Sequence, residues 1–155
     1  MKRLVPALVA LAIFVVPTTA QVTSVNVGLL SCQVAAGVGL VVGSRKSMTC
    51  NYQPGGGGAT QYYTGTIEKL GLDIGFTEQE SVSWAVFAVE ANASNVNLSG
   101  TYGGASAQAT LGVGIGANAL LGGSRNSYSL QPFSGQTQRG LNLAIGIASL
   151  QLQKQ

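Results

Sequence analysis

The chain has 155 residues, 46% of them hydrophobic, 22 of them glycine and only 8% charged. That apolar content excludes a disordered chain. Eight basic residues against five acidic ones, never more than two basic residues in a row, exclude a phosphate-tracking nucleic-acid surface. Histidine is absent from the sequence, which removes Ser-His-Asp and Cys-His catalysis and histidine-based metal centres.

The N-terminus reads as a secretory signal. Lys2 and Arg3 precede the apolar run Leu4 to Pro17, and Thr18-Thr19-Ala20 places small residues where a signal peptidase cuts. Cleavage is expected after Ala20. The uncharged run before Pro17 falls short of the roughly 20 residues that span a bilayer, which disfavours a membrane anchor. Residues 21–155 then form one domain, long enough for its own core. Loss of Lys2 and Arg3 lowers the formal net charge from +3 to +1. So charge-poor a surface must be built from Ser, Thr, Asn, Gln and Gly, which suits the periplasm or the extracellular space and tolerates self-association.

Cys32 and Cys50 are the two cysteines. In an exported chain their default state is a disulfide, worth about 3 kcal/mol in the chain-entropy model. No CxxC motif supports a redox or metal role. Leu29-Leu30-Ser31-Cys32 has the look of a lipid-attachment box, but it lies well past the apolar run, and lipidation would strand Cys50.

Further along, the apolar period is two. Val34, Ala36, Val38, Leu40 and Val42 alternate with mostly glycine, which predicts a strand. Pro54 followed by Gly55 to Gly58 marks a hairpin tip. Val82 to Val89 is apolar on both faces, as in a central strand. Ala91 to Ser99 is a polar connection, compatible with a short helical turn. Ala105 to Ala119 alternates over a long stretch, and its glycines permit bends. Residues 122–126 and 132–138 read as turns. Leu141, Leu143, Ile145 and Ile147 alternate again, and after Ser149 the phase flips to Leu150 and Leu152, as one bulge residue would cause. No stretch of 12 or more residues has helical periodicity.

An internal echo accompanies these runs. Gly43-Ser44-Arg45-Lys46-Ser47-Met48-Thr49 parallels Gly123-Ser124-Arg125-Asn126-Ser127-Tyr128-Ser129. Each copy reads as a polar turn after a GxG strand and before a Gln-Pro. Two related β halves would explain the order. The expected fold is all-β: a single antiparallel barrel, closed or nearly closed, or a coiled sandwich with two pseudo-symmetric halves.

Chemistry-bearing residues are sparse. Glu78 and Glu80 share a parity but precede a strand in a polar segment, where solvated turn residues are the rule. Glu68 and Asp73 sit in alternating runs, with Lys69 a plausible neighbour of either. Gly37-Val38-Gly39-Leu40-Val41-Val42-Gly43 lacks the GxGxxG spacing and the following helix of a nucleotide loop. Asn92-Ala93-Ser94 and Asn97-Leu98-Ser99 are sequons that point to an exposed loop. If a partner site exists, Arg45, Lys46 and Arg125 are its candidates, as the basic residues of the echoed segments.

Several segments carry a resemblance. Leu29 to Cys32, Gly39 to Cys50, Tyr63 to Ile67, Gly71 to Gly75, Trp84 to Ala88, Gly100 to Tyr102, Gly104 to Ala107, Gly112 to Gly123 and Ser129 to Pro132 together resemble the domain of unknown function 992 family of small exported alphaproteobacterial proteins. The resemblance implies an envelope or secreted location in a Gram-negative bacterium and carries no catalytic residues. The GVG-type strands are also similar to lipid-associated β-domains of the SYLF type.

The expected function is that of a non-catalytic, cofactor-free envelope protein, structural or partner-binding, with no nucleic acid. Its partner would be another envelope protein, a lipid, or a second copy. A small barrel holding a lipid or other apolar ligand is the alternative, and requires an interior wider than its side chains. An outer-membrane barrel ranks last. It needs aromatic girdles at strand ends, and five tyrosines, four phenylalanines and one tryptophan do not supply them.

Overall fold

The computed structural model describes Val15 and residues 23–36, 44–69, 79–89, 93–104, 118–145 and 147–155. Among these, eight strands close into one antiparallel barrel: β1 (Ser24–Val34), β2 (Ser44–Pro54), β3 (Gln61–Lys69), β4 (Glu80–Val89), β5 (Gly100–Gly104), β6 (Leu120–Gly122), β7 (Tyr128–Pro132) and β8 (Ile147–Lys154). Around the barrel the order is β1-β2-β3-β8-β5-β6-β7-β4, with β4 returning to β1. The closed barrel is the expected fold, and each of its eight described strands has a hydrogen-bonded strand on either side.

Strand alternation sorts side chains in or out. On β2, Lys46, Met48, Cys50 and Tyr52 point inward while Arg45, Ser47, Thr49, Asn51 and Gln53 face solvent. The segment 43–49, expected as a turn, is therefore strand from Ser44 on. Its echo at 123–129 is different: Ser124–Asn126 is a 3-10 turn, with Arg125 and Asn126 at positive φ.

β1 shows why its strand lacked a clean pattern. The pairing with β4 shifts between Asn26 and Gly28, so the inward set runs Val27, then Leu30, Cys32 and Val34. Apolar parity flips at the bulge. A Cβ on Gly28 would strike the Tyr52 ring, so the close approach of β2 demands glycine there. The Val34–Val42 alternation begins where β1 ends, and its later part lies outside the described residues, as do 105–117 of the second long run.

A correction falls at 141–145, where alternation suggested a strand. Residues Gln138–Ile145 form a helix, α1, and the strand starts only at Ile147. Thr137 caps the helix: its Oγ1 accepts from Gly140 N at 3.1 Å and its carbonyl from Leu141 N at 2.9 Å. The buried residues Gly140, Leu143 and Ala144 repeat at helical spacing and pack mainly on β4. The bulge expected near Ser149 is present. Glu68 pairs Ser149 while Lys69 pairs Ile147, so Ala148 is the extra residue. At 93–95 the chain makes a turn, not a helix.

The barrel has two unlike ends. At one, α1 packs beside the start of β4. At the other lie the 55–60 turn, the connection 93–99 and the 3-10 turn. Between them the interior is filled by Trp84, Leu30, Ile67, Val86, Leu120, Leu130 and Leu150, with Cys32 and Cys50 among them. Trp84 Nε1 is buried without a hydrogen-bond partner, at a cost of about 1–3 kcal/mol that accompanies the volume of its ring.

Candidate functional site

The tyrosines divide sharply. Tyr52, Tyr63, Tyr102 and Tyr128 are buried and face inward at the end opposite α1. They lie on four different strands, each next to a connection at that end. Their hydroxyls fix the connection 93–99. Tyr102 donates to Leu98 O at 2.8 Å, Leu98 N donates to Tyr63 Oη at 3.1 Å, and Asn97 N donates to Tyr128 Oη at 3.1 Å. Tyr63 donates in turn to Gln61 Oε1, whose Nε2 donates to Val96 O at 3.2 Å. Tyr52 donates to Val27 O at 2.6 Å. Leu98 thus closes the barrel end as a plug. Burial pushes the Tyr52 phenol up to about 12, with Tyr63 and Tyr128 adding to the effect. Burial also raises Tyr63, against the Leu98 hydrogen bond that lowers it, and raises Tyr102 strongly.

These strand-end tyrosines form no membrane girdle, because they point into the barrel. All five tyrosines lie at this barrel end and four of them turn inward, which the sequence did not reveal: their spacing has no local period. The usable signal was that each flanks a connection on the same side of the alternating chain.

The outer face of β1, β2, β3, β8 and β5 is polar, and between the Arg45–Glu68 pair and Lys154 it carries no charge. Registered pairs run from Ser83 to Ser31, Asn51 and Tyr62; from Gln33 to Thr49, Thr64 and Gln153; and from Ser47 to Thr66, Gln151 and Thr101. Ser83 Oγ donates to Ser31 Oγ at 3.2 Å. Tyr62 is 58% exposed in this array. It shares a shallow groove of about 280 Å³ with Ser31, Gln33, Thr49 and Asn51. A larger cleft of about 840 Å³ lies beside it, between the 55–60 turn, the start of β1 and Val96. On the opposite side, the outward residues Leu121 and Ser129 are buried and Phe87 is half-buried.

Residues 11–153 match the family described as Protein of unknown function (DUF992). The chain belongs to the DUF992 family. No curated protein and no solved structure matches it.

In this DUF992 barrel Cys32 and Cys50 form the expected disulfide. They are direct partners in the β1–β2 register, with Cα atoms 4.0 Å apart, and both lie inside the barrel. The three basic candidates are not brought together. Arg45 is exposed near the α1 end and pairs with Glu68 across β2 and β3, its Nε donating to Oε1 at 2.8 Å. Lys46, beside it in sequence, points inward and is only 4% exposed. Arg125 sits in the 3-10 turn at the other end. Glu68 therefore takes Arg45 as its partner. Glu80 faces Arg139 of α1 at 3.8 Å. Asp73, Glu78, Asn92 and the GVG runs at 37–39 and 112–114 lie outside the described residues. Asn97 of the second sequon is exposed, as the motif predicted.

Proposed function

We propose that this DUF992 chain is an exported, non-catalytic barrel that meets its partner on the polar outer face of β1, β2, β3, β8 and β5. The observation that carries this reading is the division of labour between inside and outside. The inside holds Trp84, four tyrosines and the disulfide, each packed against neighbours, while the outside presents rows of Ser, Thr, Asn and Gln. A filled interior disfavours the lipid-holding alternative. Outward Thr49, Thr64, Gln151 and Gln153 disfavour a lipid-facing barrel, which needs an apolar band at those positions.

The disulfide supports export, because such bonds persist in oxidising compartments. The lack of histidine and the arginine partners of Glu68 and Glu80 support a role without catalysis. No cofactor enters this reading.

The test is capture from envelope extract with the processed protein as bait. Wild type is expected to retain a specific partner. Thr49→Arg/Thr66→Arg, which places charges on the outer face alone, is expected to lose it with an unchanged melting temperature. Equal capture by both baits, or recovery of the chain only in the cytoplasm, overturns the reading.

A further inference from the structure

The outer face has a chemistry that selects its ligand class, given the reading that this face is where recognition happens. Its outward side chains between the Arg45–Glu68 pair and Lys154 carry no charge, so a charged polymer finds counter-charge only at the margins of the face. Each described strand of the closed barrel already has a strand on either side, which disfavours addition of an extended peptide by backbone pairing. What the face does offer is a lattice of hydroxyls and amides at cross-strand spacing, each able both to donate and to accept.

In that lattice stands one exposed ring. Tyr62 is 58% exposed, whereas the other four tyrosines are buried with hydroxyls engaged in hydrogen bonds. Asn51 is its direct partner in the β2–β3 register, and Ser31 and Thr49 line the same groove. An aromatic ring with hydroxyl and amide groups around its edge fits a pyranose: the C–H face of the sugar stacks on the ring while its hydroxyls meet the polar neighbours.

We infer that the groove at Tyr62 binds an uncharged glycan, with one sugar ring stacked on Tyr62 and neighbouring units hydrogen-bonded to Asn51, Ser31 and Thr49. Sugar hydroxyls exchange water for these side chains at little net gain, so binding is weak per unit and grows with chain length.

The test is an amide-resolved NMR titration of the processed, disulfide-bonded protein. The probes are β-1,4-linked hexamers of glucose and of N-acetylglucosamine, with hexagalacturonate as the charged control. The expected result is millimolar or tighter binding of a neutral hexamer, with shifts confined to the amides around Asn51 and Tyr62 and none from hexagalacturonate. Tyr62→Ala is expected to weaken binding by about tenfold, equivalent to about 1.4 kcal/mol. Tyr62→Trp is expected to keep it, and the melting temperature to stay unchanged in both. Absence of shifts with either neutral hexamer, shifts elsewhere on the barrel, or full binding by Tyr62→Ala overturns the proposal. Concentration-dependent dimerisation that Tyr62→Ala abolishes also overturns it, by assigning the face to a second copy. In that outcome the reading of the outer face survives, and the two failures are told apart.

Discussion

Tyr63 and Leu98 lie 35 residues apart in sequence, yet the Leu98 amide donates to the Tyr63 hydroxyl at 3.1 Å, inside the barrel. The same leucine gives its carbonyl to Tyr102. One residue of a polar connection is thereby tied at both backbone groups to two strands, and its side chain seals the barrel end.

Removing one of these ties has a defined cost. Tyr102→Phe leaves the buried Leu98 carbonyl without its donor, and is expected to lower stability by about 1–3 kcal/mol. Tyr62→Phe, at an exposed ring, is expected to stay within about 0.5 kcal/mol of wild type. Urea unfolding of the two variants measures the contrast, and equal losses would contradict the assigned role of the buried hydroxyl.

The buried phenols predict loss of stability in alkali. Burial raises the folded-state values of Tyr52, Tyr63 and Tyr102 above the ordinary value of 10, and Tyr52 reaches about 12. The folded state therefore holds its phenol protons where the unfolded state has released them. Stability is fully present below pH 10 and falls as pH rises towards 12. Far-UV circular dichroism and tyrosinate absorbance, followed together, are expected to show the buried phenols ionising as the barrel opens. Ionisation of Tyr52, Tyr63 and Tyr102 around pH 10 with the barrel intact would contradict this.

Much of this architecture was legible in the sequence, and the gaps have physical causes. The all-β class and the bulge at Ala148 followed from period-two alternation and its phase flip, the 55–58 turn from Pro54 and the glycines after it, and β4 from its apolar run. β1 escaped because its own bulge at Val27 splits the apolar set between parities. α1 escaped because Leu141, Leu143 and Ile145 alternate as in a strand, whereas the helix buries Gly140, Leu143 and Ala144 and leaves Ile145 exposed. The outer face at Tyr62 depends on register between strands, which no local pattern encodes.

The disulfide is expected to be resistant in the native state. Both sulfurs sit inside the barrel, where a thiol reductant cannot reach them. Reduction should therefore proceed at the rate of unfolding, and Cys32→Ala/Cys50→Ala should cost about 3 kcal/mol. Thiol trapping during exposure to reductant measures the rate. Immediate reduction of the folded chain would contradict the burial.

Gly123 is held at a φ of 76°, and a Cβ there would strike the Tyr102 hydroxyl and the Tyr128 ring. Gly123→Ala is expected to cost about 1–3 kcal/mol through backbone strain and displacement of that hydroxyl. Gly56→Ala, where nothing lies within 4 Å, serves as the matched turn substitution and is expected to be nearly neutral. Thermal melts compare the two.

The central claim is that the barrel interior is filled by its own side chains and that recognition belongs to the outer face. Native mass spectrometry of the protein recovered from the cell envelope tests it most directly. The predicted mass is that of a chain beginning at Gln21 with one disulfide and no bound small molecule. A stoichiometric lipid or other apolar adduct that survives purification and leaves only on unfolding would contradict it.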